Sequence, residues 1–336
     1  MFDCSKQILS FHDSRVSLPQ KDQETLRKHR KTNQDKLKNA LKDKEKPSPV
    51  KFVKQGSYAM RTMIQQPNKD WDIDDGVLFN KEDLVGPKGG AMSPLDARKM
   101  VRDIIDDGKF TKPPETKPNC VRVYYQEGHH VDIPVYRQYQ KDQSTEYELA
   151  SAEWKTSNPE GVTKWFEDKI TTKEDEQKRV SQQIRRQIRL LKAFGISRDS
   201  WNLPSGFIWT VLTHEKYTTY EEKEDKCFKT LMQKILDRLK LEKQVAHPVV
   251  SGEYITKGPD DPRIKQAIEK LEWALEELEI LDSGTCTKSK ALKAWKKVFD
   301  TDYFDDDIKD AEEDEKKKAT AVVMSSSPQP KQWLKK

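Results

Sequence analysis

The order of apolar and polar positions separates an N-terminal half with short alternating segments from a C-terminal half with helical stripes. In the first half, period-two alternation predicts short strands, which are 50–53, 73–79, 121–125 and 131–136. The predicted helices of this half are 19–46, 58–66 and 96–105. Strands and helices mixed in this way predict an α+β fold built on a small mixed sheet.

Apolar residues in the second half recur every three or four positions, which predicts a lobe made only of helices. The predicted helices are 172–194, 227–239, 264–281 and 291–299. The change of pattern places the first lobe, with a long bracing helix, at 1–160 and the helical lobe at 161–304. Residues 305–336 begin with an acidic run and end in a Ser/Pro-rich segment, so a charged, flexible tail is expected there.

Three aspartates interrupt the predicted strands of the first lobe. Asp72 and Asp74 share one face of a strand because residues two apart point the same way, and Asp132 lies in a second apolar strand. Aspartate is poor in strands and like charges repel, so a cation between these side chains would explain all three. Two Mg²⁺ ions about 3.5–4 Å apart, replaceable by Mn²⁺, are the arrangement typical of nucleotidyl transfer.

Gly56 and Ser57 lie between the strand at 50–53 and the next predicted helix. Glycine allows close approach of a phosphate to the backbone, and a helix N-terminus supplies N–H donors. A Gly-Ser pair alone is an ordinary turn, and it gains meaning here from the aspartates that follow. His129 and His130 have no metal-ligand spacing with cysteine, so they are expected on the surface of a turn and strand.

Composition describes a polar protein whose charge is uneven. The 336 residues carry a net charge of +5, the mean hydropathy is -0.96, and residues 1–50 hold 12 Lys+Arg against 7 Asp+Glu. The basic cluster 27–31 is read as a solvated helix face, with nucleic-acid contact as the alternative. No apolar run approaches the roughly 20 residues that span a bilayer, and neither a signal-peptide pattern nor a CxxC pair occurs. A cytoplasmic protein with reduced thiols and no membrane association is therefore expected.

The segment 55–62, with Asp72-Ile73-Asp74 and Val131-Asp132-Ile133, resembles the polymerase-β-like nucleotidyltransferase superfamily. More narrowly, it resembles the bacterial cGAS/DncV-like nucleotidyltransferases, which make cyclic oligonucleotide signals in anti-phage defence, and among them the subgroup that acts with HORMA-domain regulators. The resemblance covers most of the chain. It implies the polymerase-β-like fold and places the metal ligands, which are also the catalytic residues, at Asp72, Asp74 and Asp132.

The resemblance also implies a nucleotide site and a reaction. The implied nucleotide-binding residues are Gln55, Gly56, Ser57, Lys192 and Ser205. From the residues alone, Lys192 reads as a solvated helix lysine. The sequence departs from the family at Arg61-Thr62, where Gly-Thr is frequent, and at Asp75, where an apolar residue is usual.

The implied reaction is Mg²⁺-dependent synthesis of a cyclic oligonucleotide from ATP, alone or with a second NTP, with cyclic tri-adenylate as the favoured product. The implied partner is a HORMA-domain protein. Duplex DNA is a further candidate partner, suggested by the positive charge of the N-terminal region and not by the resemblance. Two alternatives stay open. One is a linear, template-independent transferase acting on RNA or a small acceptor, and the other is a nucleic-acid-binding protein with a silent site.

Overall fold

The computed structural model describes residues 1–43, 46–66, 71–86, 89–170, 175–218 and 220–326. The strands are β1 (Lys51–Gln55), β2 (Asp72–Asn80), β3 (Glu115–Thr116), β4 (Val121–Tyr124), β5 (His130–Ile133), β6 (Val135–Lys141), β7 (Ser144–Ala150) and β8 (Trp154–Thr156). The first-half helices are α1 (Ser5–Phe11), α2 (Gln20–Asp43), α3 (Gly56–Ala59) and α4 (Pro94–Ile105). The second-half helices are α5 (Gly161–Ile170), α6 (Asp175–Gly195), α7 (Gly206–Lys216), α8 (Glu224–Leu241), α9 (Pro262–Glu277), α10 (Lys288–Phe299) and α11 (Asp305–Ser326).

All eight strands form one mixed sheet centred on β2. The order is β3-β4-β5-β2-β6-β7-β8, and β1 pairs with β2 in addition. β2 runs parallel to β5 and β6 and antiparallel to β1. Helices α2 and α4 pack on this sheet, and their apolar residues join those of β2, β4 and β5 in one core. The predicted α+β fold is therefore confirmed.

A second core joins the helices of the other lobe. It includes Ile188, Leu212, Phe228, Leu271 and Trp295, all fully buried. α1 belongs to this core, because Ile8 and Phe11 pack there instead of on the sheet. The first residues of the chain thus brace the helical lobe, although the sequence places them with the sheet. The domain limits themselves stay a prediction.

Several predicted elements differ from the structure for identifiable reasons. The helix predicted at 58–66 is wrong, because α3 ends at Ala59 and Arg61 adopts a φ of 56°, which no helix continues through. The strand predicted at 131–136 is split into β5 and β6 at Pro134, which has no N–H to donate. The hairpin strands β7 and β8 have no counterpart in the prediction, since their half-buried faces alternate only weakly.

The predicted flexible tail is partly wrong. Residues 305–326 form α11, and Ile308 and Ala311 on one face are buried. The Glu315 carboxylate accepts hydrogen bonds from the backbone N–H and hydroxyl of Ser289, at 2.9 and 2.7 Å. These contacts hold the start of the tail against α10; the rest of the predicted tail, 327–336, lies outside the described residues. In the part of the chain that is described, no helix is long and apolar enough to cross a membrane.

Candidate active site

The three predicted aspartates meet where β2 and β5 run side by side. The parallel register sets Asp72 opposite His130 and Asp74 opposite Asp132. Because side chains two apart share a face, the carboxylates gather on one side of the sheet. One oxygen from each of Asp72 and Asp132 and a ring nitrogen of His130 lie within 4.8 Å of one another.

His130 is the residue that sequence reasoning placed wrongly. It is buried at the centre of the site instead of lying on the surface. Its position two residues before Asp132 puts it on the same strand face, a signal that could have been read from the period of the strand. Its neighbour His129, also expected on the surface, is buried as well.

The electrostatics of the aspartates reflect the burial of several negative charges in one place. Burial raises the pKa of Asp74 to about 7, and the neighbouring Asp72 and Asp132 add to the rise. Burial is also the main cause that raises the pKa of Asp72. Asp132 has a cationic partner within the chain, because both its oxygens accept hydrogen bonds of 2.8 Å from the Arg122 guanidinium.

The turn from β1 into α3 requires glycine at position 56. Gly56 has a φ of 61°, in the left-handed region, and a side-chain Cβ built there would lie 2.1 Å from Oδ2 of Asp74. The backbone of the turn therefore packs directly on a carboxylate of the site. Ser57 follows in the first turn of α3, and both residues line the cleft beside Asp72 and Asp74.

Three cationic side chains on one face of α6 attach the helical lobe to this turn. Arg185, Arg189 and Lys192 donate hydrogen bonds to the successive backbone carbonyls of Met60, Arg61 and Thr62. Residues three and four apart lie on the same helix face, so the spacing matches the three carbonyls. The positive φ of Arg61 thus belongs to a structured bend that α6 holds in place, which explains the departure from the family pattern there.

Lys192 is buried, in contrast to its reading as a solvated lysine. Its ammonium donates to the carbonyl and the hydroxyl of Thr62, at 3.0 and 3.1 Å. Its Cε is so close to α7 that a Cβ on Gly206 would come within 2.9 Å of it. Burial lowers the pKa of Lys192 to about 7, nearby Arg189 lowers it further, and Asp72 opposes the shift.

A cleft of about 360 Å³ between the sheet and the helical lobe is lined by the glycine turn, the two aspartates of β2 and Lys192. The helical side of the cleft is mainly apolar, with Ile196, Pro204, Phe207 and Trp209. Ser205 is exposed and does not line it, although both of its neighbours do. The cleft therefore combines charged groups with an apolar surface, as a nucleotide site requires.

Gln55 lies behind the cleft instead of in its wall. Its amide donates to the hydroxyl of Tyr136 and to the carbonyl of Pro159, at 3.0 and 2.8 Å. The side chain therefore supports the glycine turn from the opposite side. Gln55 is not among the described residues that line the cleft.

Asp75 points away from the site, which explains its departure from the family pattern. It is buried on the opposite face of β2, where its carboxylate accepts a hydrogen bond of 2.8 Å from Gln34 of α2 and lies 3.8 Å from the Arg30 guanidinium. The bracing helix is thereby attached to the strand that carries Asp72 and Asp74.

Most of the basic cluster of α2 is solvated as predicted, because Arg27, Lys28 and Lys31 are exposed, whereas His29 and Arg30 are partly buried. Arg27 and Lys31 join Lys54, Arg61 and Arg189 around a cavity of about 850 Å³. None of the described residues that line this cavity is acidic. The surface therefore suits a polyanion.

The sheet, the glycine turn and the paired aspartates define the class of the protein as a nucleotidyltransferase with the polymerase-β-type fold. Residues 50–136 match the family of cyclic GMP-AMP synthase DncV-like proteins, nucleotidyltransferase domain. Residues 50–136 thus match a DncV-like nucleotidyltransferase domain, which confirms the predicted resemblance to DncV-like nucleotidyltransferases and the predicted enzyme class.

Solved structures show the same fold across both lobes. A variant of the Vibrio cholerae di-nucleotide cyclase (DncV) in complex with ATP, GTP and 5MTHFGLU2 matches with a TM-score of 0.68 at 17% identity, over 89% of this chain and 96% of that chain. CdnC of E. coli MS115-1 with ATP matches with a TM-score of 0.66 at 17% identity, over 90% and 98%. A complex of CdnC with HORMA-deltaN matches with a TM-score of 0.65 at 18% identity, over 88% and 96%.

Proposed function

We propose that this protein joins nucleoside triphosphates into a cyclic oligonucleotide. The observation that carries the proposal is the gathering of Asp72, Asp74 and Asp132 on one sheet face, where Asp72 and Asp74 line a cleft that also has an apolar surface. The DncV-like domain match and the likeness to a di-nucleotide cyclase support it.

The carboxylates fit two divalent cations, for which we propose Mg²⁺, with Mn²⁺ as a substitute. Asp72 and Asp74 have raised pKa values because burial, and repulsion from neighbouring aspartates such as Asp132, penalise their charge, and a cation removes both penalties. Asp72 and Asp74 would bind both ions, and Asp132 would bind the one on the acceptor side. When bound, such ions activate the acceptor hydroxyl and neutralise charge on the leaving pyrophosphate.

The remaining groups bind and orient the donor nucleotide. The turn at Gly56 brings backbone N–H groups and the Ser57 hydroxyl close to the carboxylates, where the phosphates would lie. Lys192 would add a positive charge to the same wall, and a bound triphosphate would favour its protonated form. Phe207 and Ile196 offer apolar surface to the base. Gln55 and Ser205 would act by supporting the turn and by presenting the start of α7.

We propose ATP as the main substrate, a second NTP as the alternative, and cyclic tri-adenylate as the product. Relatives of this fold have been solved with ATP and GTP, and one with a HORMA protein. A HORMA-domain protein is accordingly the proposed regulator, in anti-phage signalling in the cytoplasm. Duplex DNA is the second proposed activator, because the cavity around Arg27, Lys31 and Arg61 is basic.

The test is product analysis with and without the aspartates. The purified protein is incubated with Mg²⁺ and four labelled NTPs, alone and with a HORMA-domain protein or duplex DNA, and the phosphatase-treated products are identified by mass spectrometry. A phosphatase-resistant cyclic species is expected. Substitution of Asp72→Asn together with Asp74→Asn should abolish it while the circular dichroism spectrum stays unchanged, because the fold needs no charge at these positions.

The same assay separates the competing functions. Linear products with free ends, in which nucleotides extend an RNA end or are joined to a small acceptor, would identify a linear transferase. Salt-sensitive DNA binding that survives the double substitution, with no product under any condition, would favour a nucleic-acid-binding protein with a silent site. Substantial turnover by the double variant would contradict the two-metal assignment.

A further inference from the structure

A second group of metal-binding side chains lies between α2 and the turn that joins β4 to β5. His29 comes from α2, and Glu127 and His129 come from the turn. One ligand atom from each of the three lies within 4.8 Å of the other two. Nδ1 of His29 is 2.7 Å from Nε2 of His129, and Nε2 of His29 is 4.0 Å from Oε1 of Glu127.

The surrounding contacts hold these rings in place. The Tyr125 ring stacks on His29 with the ring centroids 3.8 Å apart and the planes 4° from parallel. The Tyr125 hydroxyl donates a 2.9 Å hydrogen bond to Asn33, one helical turn after His29. The backbone N–H of Tyr125 bonds to the carbonyl of His129 at 3.0 Å, which closes the turn. The two imidazoles therefore have little freedom to lose when an ion binds.

Two imidazoles and one carboxylate form a donor set suited to Zn²⁺ and similar transition-metal ions, whereas Mg²⁺ prefers oxygen ligands. Imidazole binds a metal ion through an unprotonated ring nitrogen, and the 2.7 Å between Nδ1 of His29 and Nε2 of His129 brings two such nitrogens together. The group borders an open cleft of about 500 Å³, which leaves room for a water as the fourth ligand.

We propose that His29, Glu127 and His129 bind one Zn²⁺-type ion that attaches the bracing helix α2 to the catalytic sheet. In the metal-free protein Nδ1 of His29 and Nε2 of His129 share a hydrogen bond. For both nitrogens to bind the ion, the donor ring would carry its proton on its other nitrogen, so that both imidazoles stay neutral. Tetrahedral ligands about 2.0–2.1 Å from zinc stand roughly 3.3 Å apart, so the rings need to separate only slightly. Glu127 is exposed and can adjust its rotamer to reach the ion. This inference does not depend on the proposed function.

The test uses the full-length protein stripped of metal with a chelator and titrated with Co²⁺, which reports its coordination by visible absorption. Millimolar Mg²⁺ is included to occupy the aspartate site. One equivalent of Co²⁺ should bind and be displaced by Zn²⁺. The variants His129→Gln and Glu127→Gln should each weaken binding roughly tenfold or more. His247→Gln, which removes a histidine of the other lobe, is the matched control and should bind as the wild type does.

Two results would overturn the proposal. One is Co²⁺ affinity that is unchanged in both variants, and the other is Co²⁺ binding that disappears on Asp72→Asn alone, which would assign the ion to the aspartates. Because Glu127 is exposed, its substitution leaves the fold intact, so a loss in that variant reports a lost ligand. As a second readout, Zn²⁺ should raise the thermal unfolding midpoint of the wild type and not that of Glu127→Gln.

Discussion

Replacing Gly56 by alanine should separate backbone strain from damage to the site. The added Cβ would lie 2.1 Å from Oδ2 of Asp74, whereas real Cβ contacts are essentially never closer than 3.0 Å. Asp74 or the turn must therefore retreat by about 1 Å, and a misplacement of this size can lower turnover by about a hundredfold. The left-handed φ adds about 1–2 kcal/mol of strain.

Gly252→Ala is the matched control. Gly252 has a φ of 76°, so alanine meets the same backbone strain, but no atom lies within 4 Å of the Cβ position. Gly252→Ala should lose about 1–2 kcal/mol of unfolding free energy in urea titrations, and Gly56→Ala at least as much, because the clash with Asp74 adds to the same backbone strain. Only Gly56→Ala should lose turnover of labelled ATP and affinity for a non-hydrolysable ATP analogue with Mg²⁺, measured by calorimetry. If the two variants retain equal activity, contact between the turn and Asp74 does not organise the site.

Two further substitutions, each with a control variant, test the nucleotide site and the C-terminal helix α11. The pKa of Lys192 is lowered to about 7, so the ammonium loses its proton as the pH rises above that value; the Kd for Mg-ATP should then increase by up to about tenfold per pH unit between pH 7 and 9. Lys192→Met should bind ATP weakly, with a Kd that does not change between pH 7 and 9. The control Lys293→Met, at an exposed site, should keep the pH dependence of the wild type. A Kd of the wild type that does not change with pH would refute the role of the Lys192 charge. Ile308→Ala should cost about 2–4 kcal/mol in urea unfolding because it removes a buried side chain of α11, whereas Glu313→Ala on the exposed face should change stability by less than about 0.5 kcal/mol. Equal effects of these last two substitutions would mean that α11 does not pack on α10.

The alternation of polar and apolar positions was enough to identify the three aspartates that lie on one face of the sheet. Asp72 and Asp74 share a face because a strand has a period of two, and Asp132 interrupts an apolar strand in the same way. The period-3.6 stripes likewise predicted α6, α8, α9 and α10, because long helices with one buried face carry a strong local signal.

Tertiary structure decided which distant residues meet. The parallel register of β2 and β5 set His130 opposite Asp72, and no local pattern specifies a partner strand. Lys192 follows an apolar stripe as many solvated helix lysines do, and only the docking of α6 on the bend after α3 buries it against Thr62. The docking of α6 also explains why α3 is short. The chain bends at Arg61, where φ is positive, and three carbonyls of this bend accept hydrogen bonds from α6.

The two ends of the chain show the same division. The sequence of α11 is mostly charged, and a few apolar positions such as Ile308 and Ala311 became decisive only because α10 offers them a surface. α1 is similarly short, and its burial in the helical core depends on partners more than two hundred residues away, such as Asp225, whose carboxylate accepts a 2.6 Å hydrogen bond from the backbone N–H of Cys4. Local periodicity encodes which face of an element is apolar, and the free energy of burying that face against a distant surface selects its place in the fold.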